Sequence, residues 1–271
     1  MTSARHPAPA RANGIKQCCA NLYESNFARL LLGESFHPGG LTLTERLGEM
    51  LQLSADDRVL DAACGKGATA IFLAERFGCE VTGIDYSEAN VRDAVKQAGE
   101  RGLARTVRFR RGDAEKLPVA DGATTAVICE CSFCTFPSKE DAAHEFARVL
   151  VPGGKVGISD LTRTGELPSE LEGMLAWAAC VADALPVENY CSYLTTAGIR
   201  VHSIEHHNEA LLQMVEEIRK KIFGAEILVG LQKLSIPGTD FASAKRIAQA
   251  AMSEIQDGKL GYVLIAATKV S

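Results

Sequence analysis

The stretch Val59-Leu-Asp-Ala-Ala-Cys-Gly-Lys-Gly67 decides the fold of this chain. The run Asp57–Ala62 reads as a short, fully buried strand. Gly65 and Gly67 let the backbone of the following turn come close to a ligand, where a side chain would block it. From Thr69 to Phe77 the period becomes helical, with Ala70, Leu73, Ala74 and Phe77 on one face. Strand, glycine turn and helix start follow one another directly. The free N–H groups and positive dipole end of the helix therefore point at one spot.

Working outward, short apolar runs alternate with helical periods, the pattern of βαβ units. Strands are expected at Glu80–Asp85, Thr106–Arg110, Thr124–Glu130, Lys155–Asp160, Arg200–His206 and Gly261–Thr268. Helices are expected at Ser87–Gly99 with Ser87 as N-cap, at Asp141–Leu150, which Pro152-Gly153-Gly154 stops, and at Ser169–Ala184 and Val187–Ala197. Ser25–Leu32 and Thr42–Met50 read as helices over the mouth of the sheet. Glu209 to about Asp257 reads as a helix-rich insertion. Residues 1–14 show no apolar period and read as disordered. Residues 15–271 read as one domain, with a cap at 15–50 and an insertion at 207–258.

The 271 residues are 46% hydrophobic and 23% charged, with a formal net charge of −5. That balance suits a globular core. It argues against a nucleic-acid or anionic-membrane partner, since no dense Lys/Arg run is present. The nearest to one is Arg105–Arg111, which reads as the surface end of a strand. No apolar h-region and no run of roughly 18 apolar residues is found, so a cytoplasmic location is expected. Nine cysteines in such a chain read as reduced thiols.

Three carboxylates mark the ligand. Asp85 closes the second strand, where a carboxylate can accept ribose hydroxyls. Asp113, after the third strand, can reach an adenine amino group. Gly65-x-Gly67-x-x-Ala70 alone also fits a dinucleotide site, and a lone match of that kind is weak. Asp61 favours a different ligand, because a carboxylate there suits an ammonium, whereas a nicotinamide dinucleotide site would keep that space apolar.

These residues resemble the class I S-adenosylmethionine-dependent methyltransferases: Val59–Gly67 the first motif, Val81–Tyr86 the second, Gly112–Pro118 the third and Val149–Gly154 the fifth. The resemblance spans roughly residues 45–165. It implies an α/β fold, a Rossmann-like seven-stranded and mostly parallel sheet with helices on both faces. It also implies S-adenosyl-L-methionine as cofactor, held by Asp61, Ala63, Gly65, Gly67, Asp85, Tyr86, Asp113, Ala114 and Glu130, with Tyr23 of the cap over the sulfonium. Ala63 departs from the family, which most often has Gly there.

The acceptor side is rich in thiols. The fourth strand runs out through Ile128-Cys-Glu-Cys-Ser-Phe-Cys-Thr-Phe136, where alternation puts Cys129 and Cys131 on one face and Glu130 on the other. Cys180 and the pair Cys18-Cys19 lie in segments expected near the same mouth. Thiols from three segments suit a soft, thiophilic acceptor. Cys129-x-Cys131-x-x-Cys134 lacks the paired modules of structural zinc. Cys64 and Cys79 read as packing residues. The pattern is similar to arsenite methyltransferases, in which Cys131, Cys180 and Cys18 or Cys19 would hold trivalent arsenic, with glutathione or thioredoxin as thiol reductant. Two alternatives stand beside it. One is an O-, N- or C-methyltransferase of a small organic metabolite, with Glu130 or His37 as base. The other is a non-catalytic thiol-based metalloid-binding protein.

Overall fold

The computed structural model describes residues 37–171, 181, 183–231 and 240–270. Helix α1 (Gly40–Met50) leads into a single sheet of strands β1 (Arg58–Ala62), β2 (Glu80–Asp85), β3 (Val107–Arg111), β4 (Thr124–Glu130), β5 (Leu150–Arg163), β6 (Ile199–His206) and β7 (Leu260–Lys269). Their order across the sheet is β3-β2-β1-β4-β5-β7-β6. The first five run parallel, and β7 is antiparallel to both β5 and β6. Helices α2 (Ala68–Phe77) and α3 (Glu88–Glu100) carry the chain one way along the sheet, and α4 (Lys139–Val149) carries it the other way. Crossovers are right-handed, so this reversal puts helices on opposite faces. It also opens a switch point between β1 and β4, beyond their C-terminal ends, where ligands of such sheets bind.

Burial follows this arrangement. Strands β1, β4 and β7 are buried along nearly their whole length, as covered strands must be. Edge strand β6 alternates instead. The other edge, β3, exposes Arg108, Arg110 and Arg111, and such charges oppose pairing with a further strand. Helix α1 lies flat on the sheet because Gly157 of β5 leaves room for Leu47 and Leu51. Only its N-terminal end, with His37 and Thr44, reaches the C-terminal edge of the strands.

Ser87 and Ser138 cap α3 and α4, accepting from the backbone N–H groups of Asn90 and Asp141. The Ser138 cap starts α4 two residues before the expected Asp141. Strand β5 is longer than expected, because a register shift between Thr124 and Ala126 takes Pro152-Gly153-Gly154 into the strand. The helix expected over Ser169–Ala184 falls for the most part outside the described residues. Ser169–Leu171 is a single 3-10 turn, and Leu185 bridges to Thr162 beside β5. Residues 172–180, and the helix expected at Ser25–Leu32, lie outside the described residues. Helix α5 (Val187–Thr196) stands as expected, and the insertion before β7 forms α6 (Asn208–Gly230) and α7 (Phe241–Gln256). Among the described residues no helix is long and apolar enough to cross a membrane.

Close packing under the glycine turn gives a direct test of this arrangement. A Cβ on Gly83 of β2 would lie 2.5 Å from the Phe109 ring and 2.8 Å from Cys64 Sγ. Gly83→Ala is expected to destabilise the chain by about 1–3 kcal/mol, read as a fall in ΔG of unfolding in denaturant. An unchanged midpoint would show that the region can relax.

Candidate active site

The switch point gathers Asp61, Asp85 and Glu130, and they are compensated in different ways. Asp61 points from β1 and is 2% exposed. The Ala70 backbone N–H of α2 donates to its carboxylate, but Oδ2 has no partner among the described residues. Burial first, then the charges of Glu130 and Asp85, pushes this carboxyl well above the usual range. A buried acceptor left this way is costly, and it suits a cationic N–H donor from a ligand.

Asp85 is tied by three donors. Its Oδ2 accepts from the Gly65 backbone N–H at 2.8 Å. Its Oδ1 accepts from the Ser87 N–H at 2.9 Å and from Asn90 Nδ2 at 3.2 Å. The end of β2 thereby fixes both the glycine turn and the start of α3. Within the turn, a Cβ on Gly65 would meet no atom within 4 Å, so the backbone there faces open space. Gly67 has a φ of 82° and sits on Phe109, whose ring would be 2.5 Å from an added Cβ. Only glycine meets both demands at once. Ala63 has a φ of 62°, a left-handed conformation costly for alanine, which accounts for the family's usual glycine. Tyr86 follows Asp85 half-buried, and its carbonyl accepts from Arg111 Nε at 3.3 Å.

The loop after β3 is held from below. Asp113 Oδ1 accepts from the Glu115 N–H at 3.0 Å, and Ala114 is buried beside it. Glu145 of α4 accepts from the Leu117 N–H at 2.6 Å. Arg148 grips Glu145 at 2.7 Å and donates to the carbonyls of Leu117 and Val119. Sequence reading did not find this Arg148 clamp, since the carbonyls it holds lie about thirty residues away and no local period marks them.

Glu130 closes the floor. Its Oε2 accepts from Thr44 Oγ at 2.9 Å and Thr69 Oγ at 2.6 Å, and its Oε1 accepts from Ser159 Oγ at 3.1 Å. The Tyr262 hydroxyl donates to Ser159 Oγ at 2.9 Å. His37 is buried alongside, with Nε2 3.4 Å from Thr44 Oγ and 3.6 Å from Glu130 Oε2. Glu130 was expected beside the donor. Its oxygens are engaged by hydroxyls of α1, α2 and β5, three residues with no motif of their own.

Alternation put Cys129 and Cys131 on one face, and the end of β4 departs from that period. Among the described cysteines, Cys64, Cys79, Cys129 and Cys134 are buried, and Cys131 and Cys191 are half-buried. Cys131 has a φ of 50°, which breaks the two-residue period at the strand end. Its N–H donates to the Ser159 carbonyl at 2.6 Å. Cys129 stays inside, where burial and then the Asp160 charge push its thiol well up. Cys64 packs against Gly83 and is raised by burial too, consistent with a packing role. Cys18, Cys19, Cys180 and Tyr23 lie outside the described residues. Among those described, no group of three or more His, Cys, Asp or Glu side chains is placed to hold a metal ion.

Two substitutions test these environments without a ligand. The folded chain holds the Asp61 proton more tightly than the unfolded chain, so Asp61 lowers stability as pH rises from the ordinary carboxylate range through its folded pKa. Asp61→Asn should therefore melt above the parent at about pH 8, and the gap should close as pH falls towards about 4. A parent-like Tm throughout would contradict that burial. Ala63→Gly should gain about 1 kcal/mol by calorimetry, relieving the left-handed alanine.

A family model for a methyltransferase domain matches residues 59–154. The 27-O-demethylrifamycin SV methyltransferase of Amycolatopsis mediterranei is 30% identical over 230 residues, covering 84% of this chain and 82% of its own. Methyltransferase GfsG of Streptomyces halstedii is 32% identical over 163 residues, and the match spans only 59% of that protein's length and 59% of this chain. An arsenite methyltransferase of Halobacterium salinarum is 30% identical over 161 residues, 58% of this chain and 41% of its own. Among solved structures, geranyl diphosphate C-methyltransferase from Streptomyces coelicolor shares the fold, with a TM-score of 0.72 at 22% identity over 97% of this chain and 100% of that one. With the parallel sheet, the glycine turn and the carboxylates at its switch point, these similarities place the chain in the methyltransferase-domain family, as an S-adenosylmethionine-dependent methyltransferase.

Proposed function

We propose that the chain methylates a hydroxyl oxygen of a small organic acceptor, with His37 as the proton acceptor. The observation that carries this is the buried pair of His37 and Glu130 at the mouth of the switch point, 3.6 Å apart. A relative that aligns over more than four-fifths of both chains is itself named for an O-demethyl acceptor.

The residues present fit the donor. The unpartnered Oδ2 of Asp61 would take its ammonium, Asp85 its ribose hydroxyls, and the loop of Asp113 and Ala114 its adenine, with the backbone of Gly65 and Gly67 and the Tyr86 side chain around it. S-adenosylmethionine supplies an electrophilic methyl on a sulfonium. The protein contributes positioning and the exclusion of water. A neutral hydroxyl acceptor must also lose its proton. His37 Nδ1 lies 3.3 Å from the Pro38 carbonyl oxygen, and Nε2 faces Thr44 and Glu130. With Nδ1–H donating to that carbonyl, Nε2 carries the lone pair that takes the acceptor's proton, and the Glu130 carboxylate 3.6 Å away stabilises the imidazolium. Three hydroxyl donors fix Glu130 in place, so the pair is rigid before substrate arrives.

Methyl transfer to thiolate-bound trivalent arsenic is the second reading, and a thiol reductant such as glutathione or thioredoxin would belong to it. Cys131 favours it, as the half-buried thiol at the mouth, together with the likeness to the Halobacterium enzyme. The burial of Cys129 and Cys134 counts against it, since buried apolar surroundings suppress the thiolate.

Purified protein incubated with labelled S-adenosylmethionine and a panel of phenols, sugars, macrolactones and arsenite separates the two. Label is expected on an organic hydroxyl. His37→Ala should lower kcat about 10²- to 10⁴-fold with donor affinity preserved, and Cys131→Ser should stay near the parent. Label on arsenic alone, abolished in Cys131→Ser, would overturn the oxygen reading and establish the arsenic one.

A further inference from the structure

The insertion before β7 carries a face that methyl transfer does not use. Eight large apolar side chains are exposed among the described residues, and Phe223, Ile227, Leu228 and Leu231 are four of them. They are between 43% and 60% exposed and crowd the C-terminal end of α6. A cluster of this kind on a soluble domain marks a docking surface. Phe223 also lines a groove of about 570 Å³ between α6 and α7, with Arg219, Lys220, Lys245, Arg246 and Gln249. Lys221 adjoins them in sequence. Within 218–231 and 241–250 the only acidic residue is Glu226, which is paired with Lys245 at 2.9 Å. Four cations of this groove, Arg219, Lys220, Lys245 and Arg246, thus adjoin the exposed apolar end of α6, in a chain of net charge −5.

We infer that this face docks on an anionic lipid bilayer. Two features choose that occupant. An apolar helix end flanked by Lys and Arg has the composition of helices that lie in the membrane interface, apolar side chains in the acyl boundary and cations among the headgroups. A twofold contact with a second copy would set the same patch against itself and oppose cation to cation. The sequence shows three of these cations together, Arg219-Lys220-Lys221, and folding adds Lys245 and Arg246 from a second helix.

Co-sedimentation of the full chain with vesicles tests this. The parent should pellet with phosphatidylcholine vesicles containing about one third phosphatidylglycerol and stay in solution with phosphatidylcholine alone, binding less as salt rises. Arg219→Gln and Arg246→Gln should each weaken partitioning about fivefold. Phe223→Ser combined with Leu231→Ser should weaken it too, with thermal melting unchanged because both side chains are exposed. Failure of the parent to pellet, equal binding to neutral vesicles, or parent-like binding by these variants would overturn the inference. So would a concentration-dependent dimer that Phe223→Ser abolishes, which would assign the face to a second copy.

Discussion

Three carboxylates crowd the C-terminal edge of one parallel sheet, and the site depends on how unequally they are compensated. Asp85 receives N–H donors from the glycine turn and from α3. Glu130 receives hydroxyls from α1, α2 and β5. Asp61, buried between them, keeps one oxygen without a donor among the described residues. Like charges so placed repel, so each must be offset by hydrogen bonds or a cation. The protein supplies those bonds fully to two and only partly to the third. The deficit at Asp61 defines where a cationic ligand gains most.

The same bonds that compensate the carboxylates also build the site. Asp85 holds the turn whose two glycines give the ligand-facing backbone. Glu130 joins α1 to α2 across the floor and places Thr44, and through it His37, at the mouth. Arg148 fixes the loop after β3 from the opposite side. Stability and ligand geometry are therefore not separable here. A change to any one of these partners shifts a strand end, a helix start or a loop along with the charge it neutralises.

Much of this was legible in the sequence because it is local. The Val59–Gly67 stretch contains the strand, the turn and the helix start within one short span, and Asp85 follows at the end of the next apolar run. The hydroxyls of Thr44, Thr69 and Ser159 were not legible, since their shared partner stands 29 to 86 residues away. The thiols misled for a different reason. A strict two-residue period put Cys129 with Cys131, but the left-handed backbone at Cys131 ends that period, and Cys129 remains in the core. Of the thiols expected to hold arsenic, only Cys131 is among the described residues, and it is half-buried. On the cationic face of α6 and α7, Arg219-Lys220-Lys221 stand together in the sequence, and packing adds Lys245 and Arg246.

The account rests on Asp61 as the anchor of the donor, and a crystal structure with S-adenosylhomocysteine tests that most directly. The ligand's ammonium is predicted within hydrogen-bonding distance of Asp61 Oδ2, with Asp85 and Glu130 keeping their present partners. An ammonium held elsewhere, with Oδ2 still lacking a donor, would contradict it.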